Sequence, residues 1–201
     1  MDIRAMFFLY WTAMILLVTF AVVYLLRKWY YNRNTPATRR LVASVIRRHG
    51  AIRGWKLLNN VIVGEGEQAV EIDHLVVAPF GVIIACDLHQ RGNAYGELEA
   101  QGWIMTIGED GKERKRETIE NPYRRARRAE EQLRKLFAKH KVYSVNVEVI
   151  VPKTMKQNSY ITGSSEYLFN RKQLAALLAK SRYEKDNGVK VDSIVSLFDQ
   201  Q

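Results

Sequence analysis

Side chains that can ligate a metal lie within one apolar segment and at the end of the next. Asp73 interrupts the apolar segment Ala69–Ala78, and Cys86, Asp87 and His89 lie at or just after the end of the next apolar segment. Only a short turn separates the two segments, so we expect them to pair as an antiparallel hairpin. Adjacent strands that present acids at one sheet end can hold a divalent metal, which could activate water for attack on a phosphodiester. The pattern therefore leaves two interpretations of Asp73: a catalytic, metal-binding residue of phosphodiester chemistry, or a satisfied polar residue at a strand end.

Four arginines lie together at the start of the clearest soluble helix in the sequence: Arg124, Arg125, Arg127 and Arg128. Cations at a helix N-terminus oppose the helix dipole, so local helix stability does not explain them. They favour an anionic partner, either the phosphates of DNA or RNA or those of lipid headgroups. The alternative is a solvated helix face that nearby glutamates partly neutralise.

Apolar periodicity and turn residues predict the elements that position these side chains. The predicted helices are Pro36–His49, Tyr123–His140, Asn170–Lys180 and a short one near Val191–Phe198. The predicted strands are Lys56–Val63, Ala69–Ala78, Val82–Asp87, Trp103–Ile107 and Val142–Val151. This order predicts an α/β (α+β) domain in which helices flank a mixed sheet.

At these residues the sequence resembles the nuclease-related domain (NERD) family over roughly Pro36–Lys180. The matching stretches are Trp55–Val63, Val70–Val77, Gly81–Gly96, Trp103, Asn121-Pro122 with the basic helix that follows, and Val147–Pro152. The resemblance implies a PD-(D/E)xK fold like that of restriction endonucleases, and Mg²⁺ or Mn²⁺ as the cofactor of an active member. Members of this family often carry an N-terminal membrane helix.

The chain departs from the family pattern at its catalytic positions. Cys86 occupies the place of the family's glutamate and Leu88 that of its lysine, and the family's Gly-Glu pair early in the first helix has no counterpart. Arg125 stands where the family tends to have glutamine. Cysteine is a soft ligand that suits zinc or copper better than magnesium, and leucine cannot stabilise charge on a phosphate. Of the expected catalytic set, only Asp73 remains.

These departures leave three functional hypotheses. The first is a degenerate nuclease that retains binding to nucleic acid or another anionic partner and needs no cofactor. The second is an active, divergent DNA nuclease in which a one-residue register slip brings Asp87 and His89 to Asp73, with Mg²⁺ or Mn²⁺ as cofactor. The third is a membrane-surface interaction module without a nucleic-acid role.

A separate apolar run near the N-terminus predicts a transmembrane helix. Met6–Leu26 contains no charged residue, and 21 helical residues span about 31 Å, the thickness of the hydrocarbon core. A cleaved signal peptide is the alternative, but its apolar core would be shorter, and Arg27–Tyr31 is a poor cleavage site.

The residues after this run are strongly basic. Arg27–Gly54 contains eight Lys or Arg residues and no acid, which by the positive-inside rule places the following domain in the cytoplasm. The chain is therefore expected in the cell's inner membrane as a single-pass protein. The bilayer is its expected partner, and anionic headgroups are expected near Arg27–Arg53.

The expected organisation is an anchor (1–31), a linker (32–36), the nuclease-related domain (37–180) and a C-terminal tail (181–201). The single cysteine, Cys86, excludes an internal disulfide and suits a reducing compartment.

Overall fold

The computed structural model describes residues 3–31, 36–90, 92–107, 115–154, 158–164 and 166–198. The chain divides into two compact units, Met1–Thr38 and Arg39–Gln201. Most of the predicted linker (32–36) and the last residues of the predicted tail lie outside the described residues.

The first unit consists mainly of helix α1, Ile3–Tyr31. The prediction that Met6–Leu26 is helical is confirmed. Its described side chains, at positions 7 and 10–26, are exposed except for half-buried Thr12. Among the residues that the structure describes, no helix combines the length and the hydropathy that crossing a membrane requires. The predicted transmembrane span is therefore not supported.

The second unit contains two mixed sheets, four α-helices and two short 3-10 helices within its described residues. The α-helices are α2 (Pro36–Gly50), α3 (Pro122–Lys139), α4 (Arg171–Leu178) and α5 (Val191–Val195). The strands are β1 (Lys56–Val63), β2 (Val70–Ala78), β3 (Gly81–Ala85), β4 (Asn93–Glu97), β5 (Gly102–Ile107), β6 (Lys115–Glu120), β7 (Val147–Pro152), β8 (Ser159–Thr162) and β9 (Leu168–Phe169).

The larger sheet has the order β1-β2-β3-β7-β9, and the smaller has the order β6-β5-β4-β8. In the larger sheet β1, β2 and β3 pair antiparallel, whereas β7 runs parallel to β3 and β9 runs parallel to β7. The α/β class and the β2–β3 hairpin are confirmed. The prediction of one sheet is wrong, because β4, β5, β6 and β8 form a second sheet.

Helices cover both faces of the larger sheet because β3 is apolar on both sides. Val82 and Ile84 lie in the core beneath α3, whereas Ile83 and Ala85 pack on the opposite side with residues of α2 and α4. The apolar residues of α3 recur every three or four positions, which gives this helix one buried stripe.

Asn121 fixes the start of α3. Its side-chain oxygen accepts hydrogen bonds from the backbone N–H groups of Tyr123 (2.9 Å) and Arg124 (3.3 Å), and Pro122 occupies the first turn. Its amide nitrogen donates to the carbonyl oxygens of Leu98 and Ala100, both at 2.7 Å. The first turn of α3 is thereby fastened to the chain between β4 and β5.

Candidate active site

Asp73 lies where strand β2 changes the direction of its side chains. Ile72 and Leu75 belong to the same core cluster although three positions separate them, so the alternation breaks at Asp73 and His74. The facing strand β1 breaks in the same place, where Asn60 has a positive φ of 54°. This distortion near the end of the β2–β3 hairpin gives a buried strand room for a carboxylate.

The Asp73 carboxylate lies between two guanidinium groups; its Oδ2 accepts two hydrogen bonds, whereas its buried Oδ1 accepts none from the described residues. Arg125 Nη2 donates to Oδ2 at 2.5 Å, and the backbone N–H of Asp87 donates to the same oxygen at 2.8 Å. Arg39 Nη1 lies 3.3 Å from Oδ1. The Asp73 side chain is 1% exposed, against 16% for Arg125 and 34% for Arg39. A buried negative charge is thus compensated by two positive ones.

Arg125 reaches this site from the first turn of α3. Burial opposes its charge, but Cys86 and Asp73 raise the pKa of Arg125 above its ordinary value, so the guanidinium stays charged. Its Nε is buried and has no hydrogen-bond partner. The side chain therefore turns inward to Asp73 and does not join the exposed arginines of the same helix. The structure thus assigns Arg125 a contact with Asp73, and contact of Arg125 with nucleic acid stays a prediction.

Cys86 and Leu88 point into the α3 side of the sheet, together with Val82 and Ile84. The alternation of β3 is regular, so these two residues occupy the positions that the family resemblance assigned to them. Burial raises the pKa of the Cys86 thiol to about 12, although the charge of Arg125 opposes this shift. At neutral pH the site therefore presents an uncharged thiol and an aliphatic side chain.

The register slip that would bring Asp87 and His89 to Asp73 does not occur. Strands β2 and β3 pair without a bulge from His74↔Ala85 to Ala78↔Gly81. The Asp87 carboxylate instead contacts His74, with Oδ2 3.2 Å from Nε2. His89 Nδ1 approaches only the backbone oxygen of Asp87, at 3.4 Å.

His74 links Asp87 to strand β1. Its Nδ1 lies 2.7 Å from Asn59 Oδ1 and donates to that oxygen. His74 Nε2 must then either accept from a protonated Asp87 or donate to an ionised one. Burial raises the pKa of Asp87, although the hydrogen bond from His74 lowers it. In both states one proton lies between the two side chains, so the pair carries no net charge.

The side chains around Asp73 do not fit a catalytic divalent cation. Such a cation takes several oxygen ligands at once, but Asp73 is covered by Arg39 and Arg125, and Cys86 offers only a neutral sulfur. Among the described residues, no group of three or more His, Cys, Asp or Glu side chains could hold a metal. The predicted metal site at Asp73 has no supporting ligand set.

The other three arginines of the predicted cluster lie at the surface. Arg127 pairs with Glu130 and Arg128 pairs with Glu120. Arg124 lines a groove of about 550 Å³ beside β5 and β6. Within the described part of the chain it makes no ion pair. Binding of nucleic acid by these three residues stays a prediction.

Arg39 is the site residue that the sequence analysis missed. It lies on the same side of α2 as Val42, Ala43 and Ile46, which are buried. An arginine at a core-facing position of an amphipathic helix was the available signal, because such a residue needs a buried acid as its partner.

Comparison with known proteins identifies a family for this chain. The model of the nuclease-related domain family matches residues 37–154, more than half of the 201 residues. Curated proteins and solved structures give no significant match. The matched segment contains the hairpin, α3 and every residue around Asp73 described above.

Proposed function

Because the chain belongs to the nuclease-related domain family, we propose that it is a membrane-tethered member that has lost nuclease activity. The proposed protein keeps the domain as a binding unit on the cytoplasmic side of the membrane. Its nucleic-acid or other anionic partner binds without being cut.

One observation carries the loss of activity: Arg125 and Arg39 both lie on the carboxylate of Asp73. A metal-dependent nuclease needs that carboxylate free for a cation, and it needs further groups that stabilise charge on the phosphate. Here the carboxylate is neutralised, Cys86 is an uncharged thiol, and the side chain of Leu88 cannot donate a hydrogen bond. No hydrolytic step follows from this arrangement.

The tether rests on the sequence of the first unit alone, because no described helix has the length and hydropathy of a membrane span. The uncharged run Met6–Leu26 lies within the helix Ile3–Tyr31, and apolar residues occur all around that helix. The basic residues after the run place the domain in the cytoplasm under the positive-inside rule. Resistance of the full chain to carbonate extraction of membranes tests the tether. A periplasmic reporter that becomes active when fused at the C-terminus would overturn the orientation.

Nucleic-acid binding is the part of the proposal with the narrowest support. Arg124 offers an exposed cation that makes no ion pair with the described residues, whereas Arg127 and Arg128 are partly neutralised by glutamates. A gel shift of DNA that weakens steeply with salt supports this binding, and Arg124→Ala should weaken it further. Binding that does not change in Arg124→Ala and Arg128→Ala removes α3 from the interface.

Loss of cleavage is tested by incubating the full chain with supercoiled DNA and Mg²⁺ or Mn²⁺. We expect no nicking above that of Asp73→Ala, with Asp73→Asn as a second variant that keeps the side-chain shape. Nicking that both variants abolish would contradict the proposal and favour a divergent nuclease. Further loss in Asp87→Ala or His89→Ala would place those residues in its mechanism.

A further inference from the structure

The outer face of α2 is a continuous basic stripe. Arg40, Arg47 and Arg48 are exposed, together with Ser44 and Ala51, at positions that fall on one side of a helix. The opposite side carries Val42 and Ile46, which lie in the core. None of the three arginines takes part in an ion pair within the described residues.

A large apolar side chain projects into solvent at the end of this stripe. Ile52 is 90% exposed, more than any other large apolar side chain that the structure describes. It lies in the turn between α2 and β1, directly after Arg47 and Arg48. An exposed apolar side chain beside a row of cations favours binding to a membrane surface. The apolar group enters the lipid, and the cations contact the headgroups.

The electrostatic surroundings of this face are positive. No acid occurs in the sequence from Arg27 to Gly64, and the exposed Lys56 lies just beyond the turn. Burial lowers the pKa of His49, and the charges of Arg53 and Arg48 lower it further. The acid facing the turn is Glu184, which pairs with Arg53. The stripe itself therefore lacks compensating charge.

We propose that the outer face of α2, with Ile52 at its end, docks on an anionic lipid surface. Lipid fits better than nucleic acid because an exposed isoleucine gains free energy when it is buried in a bilayer but not when it lies beside a phosphate backbone. The proposal rests on the proposed function in one respect, since a chain held at a bilayer brings this face within reach of the headgroups. The proposal names the surface that contacts the membrane and states that this surface prefers anionic lipid.

The test places a fluorophore at Ile52 of the full chain reconstituted in vesicles. Ile52→Cys is labelled with an environment-sensitive dye; Cys86 stays unlabelled because it is buried and its thiol pKa is about 12. Ile62→Cys, at a 57% exposed isoleucine of β1, is the matched control. The vesicles contain phosphatidylcholine alone or phosphatidylcholine mixed with phosphatidylglycerol.

We expect a blue shift, and quenching by spin-labelled lipid, at Ile52 only when phosphatidylglycerol is present. The Ile62 label should not respond. Arg47→Gln combined with Arg48→Gln should lower the ratio of docked to undocked chain about 30-fold, from the usual contribution of two cations near an anionic surface. Both residues are exposed, so an unchanged thermal transition verifies the fold of this variant.

Equal emission at Ile52 with and without phosphatidylglycerol would overturn the proposal, and so would an equal response at Ile62. DNA binding that Arg47 and Arg48 support, with the Ile52 label still in water, would overturn it in favour of nucleic acid. A chain that fails to insert while Ile52 still responds to added anionic vesicles refutes the tether alone. A chain that inserts without any response at Ile52 refutes the docking surface alone.

Discussion

Replacement of Arg125 by methionine removes the charge that lies closest to Asp73 while keeping most of the apolar stem. The Asp73 carboxylate is 1% exposed and accepts from Arg125 at 2.5 Å. Without that guanidinium the carboxylate stays buried with less compensation, so we expect Arg125→Met to destabilise the folded domain.

The size of the effect follows from what remains at Asp73. Removing one partner of a buried ion pair costs about 3–5 kcal/mol. Arg39 at 3.3 Å and the Asp87 N–H at 2.8 Å still contact the carboxylate. The expected cost of Arg125→Met therefore lies at the lower end of that range, about 3 kcal/mol. For a domain of this size that loss lowers Tm by about 6–12 °C. Adding Asp73→Asn should restore part of the loss, because no buried charge is then left without a partner.

Thermal unfolding of the full chain, followed by fluorescence of the buried Trp103, measures this loss. Arg128→Met is the matched control, because it removes an arginine from the same helix whose pair with Glu120 is exposed. That change should cost at most about 1 kcal/mol. An Arg125→Met variant that is no less stable than Arg128→Met would refute the role assigned to Arg125.

Three further predictions follow from the buried groups. The Cys86 thiol, with its pKa raised to about 12, should not react with a thiol reagent at pH 8 until the chain is denatured; rapid reaction of the folded chain would contradict its burial. Burial raises the pKa of Asp87, so the folded Asp87–His74 pair keeps its shared proton at a pH where an unfolded chain releases it from an ordinary histidine, above about 6.5. The free energy of unfolding should therefore fall as pH rises above about 6.5, and denaturant titrations of Asp87→Asn should lack that fall. Asn121→Ala should lower the free energy of unfolding by about 2–3 kcal/mol, since it removes a helix cap and two further hydrogen bonds. Asn170→Ala, which removes an exposed cap, should lower it by only about 1 kcal/mol. Equal losses in the two variants would contradict this prediction.

The hairpin and α3 were predictable because each carries a strong local pattern. Strands β2 and β3 are nearly all apolar and are joined by a tight turn, and α3 has an Asn-Pro start followed by apolar residues at helical spacing. The predicted ends of α3 and of the Asn170–Lys180 helix differ from the observed ends by one or two residues. Such elements are specified within a short window of sequence.

The second sheet was not predictable in this way. Strand β6 has the sequence KRETIE, with only Ile119 buried, so it shows no apolar run. Strand β4 pairs in parallel with β8, more than 60 residues later in the chain, and no local signal reports that contact. The predicted strand Val142–Val151 begins only at Val147, because Ser144 has a positive φ of 64° and holds the preceding residues in a loop.

The candidate site shows the same division. Strand alternation predicted that Cys86 and Leu88 share a face, and the structure places both in the core beneath α3. Asp73 lies where the alternation of β2 breaks, so its surroundings did not follow from that rule. The partner of Asp73 could not be predicted, because Arg125 lies 52 positions away and reaches the site only through the packing of α3. Sequence reasoning therefore singled out Asp73, Cys86 and Leu88 but not the two arginines that contact Asp73.

The most direct test of the central claim is whether Asp73 is free to bind a divalent cation. Titration of Mn²⁺ into the full chain, followed by the electron paramagnetic resonance signal of free Mn²⁺, measures this directly. If Arg125 and Arg39 neutralise Asp73 as the structure indicates, the chain should leave the signal as strong as Asp73→Asn does. A stoichiometric loss of signal that Asp73→Asn abolishes would contradict the account, because it would show a working metal site where two arginines lie.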